Sequence, residues 1–238
     1  MEKNNYLERV ITLDGPAGSG KSTIAKLLAK EMGYYHVDSG AIYRGYTYAV
    51  IHKIGYLDSP QAFGEMFIKE KLHPDFFKIT VFFDEDQQII KYQNEIINDK
   101  IRTRELTERI KFIADDINFR KRVNEILRNL AINYPLVVDG RDMGTEVFPE
   151  SKYKFYIDAS IDVRAQRRLN DYIQKNHNNN ISISLEDIKR EIQKRDEEDK
   201  KRKIGSLKVP KDAIVIDTSN LTINMVLNIL LSYLQKKF

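Results

Sequence analysis

Val10-Ile-Thr-Leu-Asp14-Gly15-Pro-Ala-Gly-Ser-Gly20-Lys-Ser-Thr23 opens as a short β-branched run, turns through glycines, and passes into a helical pattern with Ile24, Leu27 and Leu28 on one side. Within it, Gly15, Pro16, Ala17, Gly18, Ser19, Gly20, Lys21, Ser22 and Thr23 satisfy G-x-x-x-x-G-K-[ST], set between a strand and a helix start where that pattern has a mechanism. Glycines let the backbone curl so that its N–H groups face a β-phosphate, and the helix N-terminus adds partial positive charge. Lys21 then reaches the β- and γ-phosphates of a nucleoside triphosphate, and the Ser22 hydroxyl is placed to ligate Mg²⁺. The alternative, a glycine-rich turn that merely links strand to helix, does not require strand, motif and helix start to coincide.

Outward from this loop the chain alternates strand and helix patterns. Gly33 closes the first helix, and Tyr34 to Val37 reads as a second strand. A helix from about Ala41 carries Ile42, Tyr46, Ala49 and Val50 on one face, and Ser59-Pro60 suits the cap and first turn of the next. Ile79-Thr-Val-Phe-Phe83 and Ile89-Ile-Lys-Tyr92 flank an acidic turn and predict a small hairpin. Helices follow from Thr103 and near Phe119, then strands at Leu136-Val-Val138 and Lys154-Phe-Tyr-Ile157, and a helix from Asp162 to Lys175. The asparagine-rich tract at Asn176 to Asn180 predicts a mobile loop. Ser184 with Asp187 resembles a capping box opening a charged helix to about Lys203, followed by a strand at Ala213 to Ile216 and an amphipathic tail from Thr222. This order predicts an α/β fold with a parallel sheet covered by helices on both faces.

The 238 residues carry 39 Lys and Arg against 35 Asp and Glu, a balance too mild to demand a nucleic acid or a membrane as partner. The absence of cysteine excludes disulfides, thiolate metal sites and cysteine nucleophiles. His36, His52, His73 and His177 show no ligand spacing. No apolar run approaches the ~20 residues of a membrane span, and the start lacks a signal-peptide pattern, so a cytoplasmic protein is expected.

A phosphate loop does not name a reaction, because GTPases, motors and small-molecule kinases share it. Neither Asn-Lys-x-Asp nor Asp-x-x-Gly, the pair a switch GTPase would carry, occurs here. Three other segments concentrate charge. Asp38-Ser-Gly-Ala-Ile-Tyr-Arg44 puts a polar turn and a basic residue at a helix start, which suits either an anion or an ordinary cap with a surface arginine. Asp139-Gly-Arg-Asp-Met-Gly-Thr145 follows an apolar strand and so lies at the carboxyl edge of the sheet, where α/β proteins bind ligands. Asp139 there reads as the acid ending a Walker B strand, with Arg141 and Asp142 either toward a ligand or paired on the surface. Arg195, Asp199 and Arg202 form a plus, minus, plus array on one helical face, which either grips phosphate and ribose or is solvated and salt-bridged.

Together these segments, with Ile101-Arg-Thr103, Val147-Phe-Pro149 and Arg195-Asp196, resemble those of the bacterial cytidylate kinases over nearly the whole chain. The resemblance implies a P-loop nucleoside monophosphate kinase fold: a five-stranded parallel sheet with helices on both faces, an inserted small antiparallel sheet and a helical lid. It implies one domain over residues 1–238, with the core at about 8–40, 130–160 and 204–238, an acceptor-binding lobe at about 41–129 and the lid at about 161–203. It implies phosphoryl transfer from ATP, with Mg²⁺, to CMP or dCMP by a monomer.

For the acceptor, the resemblance assigns Ser39 and Asp142 to the cytosine, Arg44, Arg141 and Arg202 to its phosphate, and Arg195 and Asp199 to its ribose. Chemistry points the same way, since cytosine offers an amine donor where uracil has an acceptor, and a carboxylate such as Asp142 rewards only the donor. A family serine after Thr103 has no clear counterpart, and the family's helical arginine corresponds to Arg120 or Arg122. Catalysis is expected from Lys21, Arg141 and Asp139 without a general base, because the attacking phosphate oxygen is already ionised. Arg164, Arg167 and Arg168 either close onto ATP or line a solvated helix. The competing readings are another P-loop kinase acting on UMP, a deoxynucleoside, shikimate or dephospho-coenzyme A, and a nucleotide-dependent binding protein without turnover.

Overall fold

The computed structural model describes residues 5–175 and 184–235, so the loop expected at 176–180 lies outside the described residues. In chain order the regular elements are β1 (Val10–Asp14), α1 (Lys21–Met32), β2 (Tyr35–Asp38), α2 (Ser39–Ile54), α3 (Pro60–Lys69), β3 (Ile79–Asp84), β4 (Gln87–Tyr92), β5 (Glu95–Ile96), α4 (Arg104–Asp115), α5 (Ile117–Asn133), β6 (Leu136–Gly140), β7 (Tyr153–Asp158), α6 (Ile161–Lys175), α7 (Leu185–Lys201), β8 (Ile214–Asp217) and α8 (Ile223–Gln235). Five strands form a parallel sheet in the order β2-β6-β1-β7-β8, and β3-β4-β5 make a separate antiparallel sheet. Both features expected from the resemblance are present. The chain divides into two compact units, residues 1–34 with 137–238, and 35–136.

In the first unit β1 and β7 are buried almost throughout, as expected of strands covered on both faces, with Thr12, Asp14 and Lys154 as their buried polar members. They pair in parallel with Leu13 opposite Phe155, and β7 pairs with β8 with Ile157 opposite Ile216. Ile24, Ala25, Leu28 and Ala29 fall on one face of α1 at helical spacing and join Val226, Leu230 and Leu234 of α8 over this sheet. Gly33 ends α1 at φ 64°, the left-handed conformation that glycine adopts without a Cβ penalty. The α6 and α7 pair, expected as a lid, has its own small core of Ala165, Ile188 and Ile192. Its second helix opens on the expected capping box, in which Ser184 and Asp187 satisfy each other's N–H groups.

The second unit packs α2, α3, α4 and α5 around aromatic side chains, with the small sheet joined to them. Phe119 sits at the centre, edge-on to Tyr46 at 5.3 Å and against Phe67 and Phe77 at 5.7 and 6.1 Å. Gly64 lets α3 approach α4 closely, since a Cβ there would come within 2.2 Å of the Phe112 ring. The β3–β4 hairpin was expected from two strand-like runs flanking an acidic turn, whereas β5, only two exposed residues, carries no pattern to read. No helix among the described residues is long and apolar enough to cross a membrane.

Candidate active site

The phosphate loop is shaped by glycines at Gly15, Gly18 and Gly20, all at positive φ. Gly15 could not be replaced, because a Cβ would lie 2.1 Å from the Ile157 carbonyl oxygen. Lys21 opens α1, is 6% exposed, and donates from Nζ to the Pro16 carbonyl at 3.0 Å, folded over its own loop. Ser22 donates from Oγ to Oδ2 of Asp139 at 2.5 Å, across 117 residues of sequence. Asp139 is buried near the end of β6, and the strand delivers it to the loop.

Past β6 the chain makes a single π-type turn, Met143–Val147, with Phe148 N–H donating to the Met143 carbonyl at 2.7 Å. Asp142 precedes this turn and is 3% exposed. The turn is held by Asp14, a residue the sequence reading passed over. Its carboxylate accepts from the N–H of Met143 at 2.8 Å and of Gly144 at 2.7 Å. The signal was there to be read, a charge at the carboxyl end of a buried strand, the same reasoning that drew attention to Asp139.

Arg141 turns toward α7. Its Nε donates to Asp199 Oδ2 at 2.8 Å, and the other oxygen of Asp199 pairs with Arg202 at 2.9 Å. The surface pair of Arg141 with Asp142 is therefore not formed. Nor is this end of α7 a solvated helix, because the Asp199 side chain is 3% exposed. Burial alone would raise the Asp199 pKa, but Arg141, Arg202 and Arg195 overcome it and hold the carboxylate below its ordinary range.

The arginines of α6 brace the loop. Arg164 donates to the Ala17 carbonyl at 3.1 Å and to Asp196 at 2.5 Å, while Asp196 accepts from the Ala17 N–H at 3.4 Å. Arg167 donates to the Ser19 carbonyl at 3.1 Å and to both oxygens of Thr218. Arg168 instead bonds the Tyr172 hydroxyl on its own helix, with Glu191 at 3.8 Å. The expected solvated face thus applies to neither Arg164 nor Arg167.

In the second unit, Asp38 caps α2 by accepting from the Ala41 N–H at 3.0 Å, and its other oxygen pairs with Arg102 at 3.2 Å. This joins the Asp38 to Arg44 segment to Ile101-Arg-Thr103, which the sequence could only quote separately. Ser39 is buried in the first turn of α2, and the Arg44 guanidinium lies beside Gly40 at that same helix start. Arg120 is 3% exposed and stacks over the Tyr43 ring at 5.6 Å, whereas Arg122 pairs with Glu125 at 3.3 Å on a more open face.

Residues 11–236 match the family model described as cytidylate kinase. The chain belongs to the cytidylate kinase family. It is similar to the cytidylate kinase of Ligilactobacillus salivarius, at 36% identity over 95% of this chain and 96% of that one. Those of Halalkalibacterium halodurans and Thermodesulfovibrio yellowstonii are each 35% identical, over 95% and 94% of this chain and 97% of each relative. As a member of this family the chain is a P-loop kinase.

Lys21 has a pKa pushed down to about 7, first by burial and then by Arg141 and Arg195, with Asp139 and Asp199 opposing. At about pH 8 the lysine is therefore mostly neutral until phosphates arrive to favour its charged form. Triphosphate binding at that pH is expected to take up close to one proton, read as the dependence of calorimetric heat on buffer ionisation enthalpy. Uptake vanishes at about pH 5.5, where Lys21 is already charged, and in Lys21→Met at either pH. No uptake by the natural protein at about pH 8 would show the lysine charged before the ligand binds.

Proposed function

We propose that this chain transfers the γ-phosphoryl group of ATP to the phosphate of CMP or dCMP, giving ADP and CDP or dCDP. The observation that carries this reading is the Arg141–Asp199–Arg202 array beside the phosphate loop, which Lys21 senses electrostatically through Arg141, Asp139, Arg195 and Asp199. A P-loop needs only its lysine and metal for a triphosphate. Cations arranged around a buried carboxylate suit a second anion that also carries hydroxyl groups.

The ATP phosphates lie in the loop from Gly15 to Thr23, against the backbone N–H groups and Lys21. Ser22 and Asp139 offer hard oxygen donors side by side, a set that fits Mg²⁺ bound with phosphate and water as its other ligands. Ser22 and Asp139 would hold it there, and it would supply charge neutralisation for the phosphates. The acceptor phosphate is held by Arg44, Arg141 and Arg202, its ribose by Arg195 and Asp199, and its cytosine by Ser39 and Asp142. The acceptor oxygen attacks in line, already ionised, so alignment of two polyanions by these arginines carries the catalysis and no base removes a proton.

Support for cytosine comes from the buried Asp142 carboxylate, an acceptor that matches the exocyclic amine and mismatches the uracil carbonyl. The test is a product balance by chromatography: ATP with CMP gives equal amounts of ADP and CDP, and ATP alone gives almost none. Nucleotide binding without CDP would leave the chain a binding protein.

A further inference from the structure

Asp14 is fully buried, ends β1 and has no part in the reaction as described above. Its two carboxylate oxygens are both occupied by the Met143 and Gly144 N–H groups, the first two of the turn that follows Asp142. Helix-like turns leave such N–H groups for a cap, and an aspartate at the position of Asp142 ordinarily folds back to provide it. Asp142 makes no side-chain capping bond here. The cap is supplied by Asp14, 129 and 130 residues away. Packing agrees with a built contact: a Cβ on Gly144 would lie 3.3 Å from Asp14 Oδ2 and 3.0 Å from both Thr12 Oγ1 and Pro210, so the turn is pressed onto β1. Burial, with Asp142 adding to it, lifts the Asp14 pKa to about 7 against the two N–H bonds and Lys21. The position is thus held at an electrostatic cost, as expected of a group retained for what it orients.

We propose that Asp14 is a positioning residue for base selection: by capping the 143–147 turn from β1 it keeps the Asp142 carboxylate from folding back as the cap and presents it to the exocyclic amine of the acceptor. This rests on the assignment of Asp142 to the cytosine.

Asp14→Asn keeps the shape but has one acceptor oxygen, and its amide would set a donor against a peptide N–H. The turn then recruits Asp142 as its cap. The expected result is a rise of about tenfold in the KM for CMP and a comparable fall in the CMP to UMP ratio of kcat/KM, with ATP affinity unchanged. Asp14→Ser, a small residue with a single acceptor, gives the same direction and guards against misfolding of the first variant. Asp14→Asn combined with Asp142→Ala selects no worse than Asp142→Ala alone, because one residue acts through the other.

Selection lost in Asp142→Ala but kept in Asp14→Asn would overturn the inference and leave the base assignment standing. Selection kept in Asp142→Ala would overturn both. Additive losses, or failure of both Asp14 variants to bind ATP, would reduce Asp14 to a structural residue and also overturn it.

Discussion

Lys21→Met is expected to lower kcat with CMP about a thousandfold while the protein stays folded. The size of the effect follows from where Lys21 acts: charge on the moving phosphoryl group grows toward the transition state, and a preorganised cation there is worth about 3–4 kcal/mol. That the fold survives follows from its pKa. A buried lysine held near 7 is one the empty protein disfavours as a cation, with Arg141 and Arg195 adding repulsion. Methionine fills similar volume without that cost, so melting temperature is expected to hold or rise, the usual relation between a functional residue and stability. Thermal melts beside single-turnover rates check both halves. A variant with near-normal turnover would remove the loop from the chemistry.

Asp142→Ala is expected to reduce kcat/KM for CMP about a hundredfold while changing that for UMP by less than about threefold. A charged acceptor facing an amine in a buried setting contributes more than a neutral one, and its loss leaves the amine without a partner. UMP, which cannot donate at that position, loses nothing by the change. Stability is not expected to suffer, because Asp142 raises the cost of ionising its neighbour Asp14. Steady-state kinetics with both acceptors decide it. Equal losses for CMP and UMP would mean that Asp142 shapes the site without reading the base.

The fold was largely legible because its signals are local. The β-branched run before Gly15, the stripe of α1, the Ser59 and Ser184 caps and the two runs flanking the acidic β3–β4 turn each depend on residues within a few positions, and each formed as expected. The two exposed residues of β5 had no periodicity to show. The charged segments were legible as candidates but not as partners, since their pairings span 58 residues for Arg141 with Asp199, 32 for Arg164 with Asp196, and 129 for Asp14 with Met143. The end of α7 is the clearest case. From its own neighbours the array from Arg195 to Arg202 reads equally as a solvated helix, and Arg141, from another segment, adds the long-range partner that sequence spacing does not show for the buried Asp199. Asp14 shows no role in its own neighbourhood, because the N–H groups it accepts from lie 129 and 130 residues away.

The central claim is that the phosphate loop is the donor half of a site whose acceptor half recognises cytidine monophosphates. The most direct measurement is kcat/KM for ADP release with ATP against CMP, dCMP, UMP, AMP and GMP in turn. CMP and dCMP are expected to be used at least about a hundredfold better than UMP, AMP and GMP. Equal or better use of UMP, or ADP release that does not depend on a monophosphate at all, would contradict it.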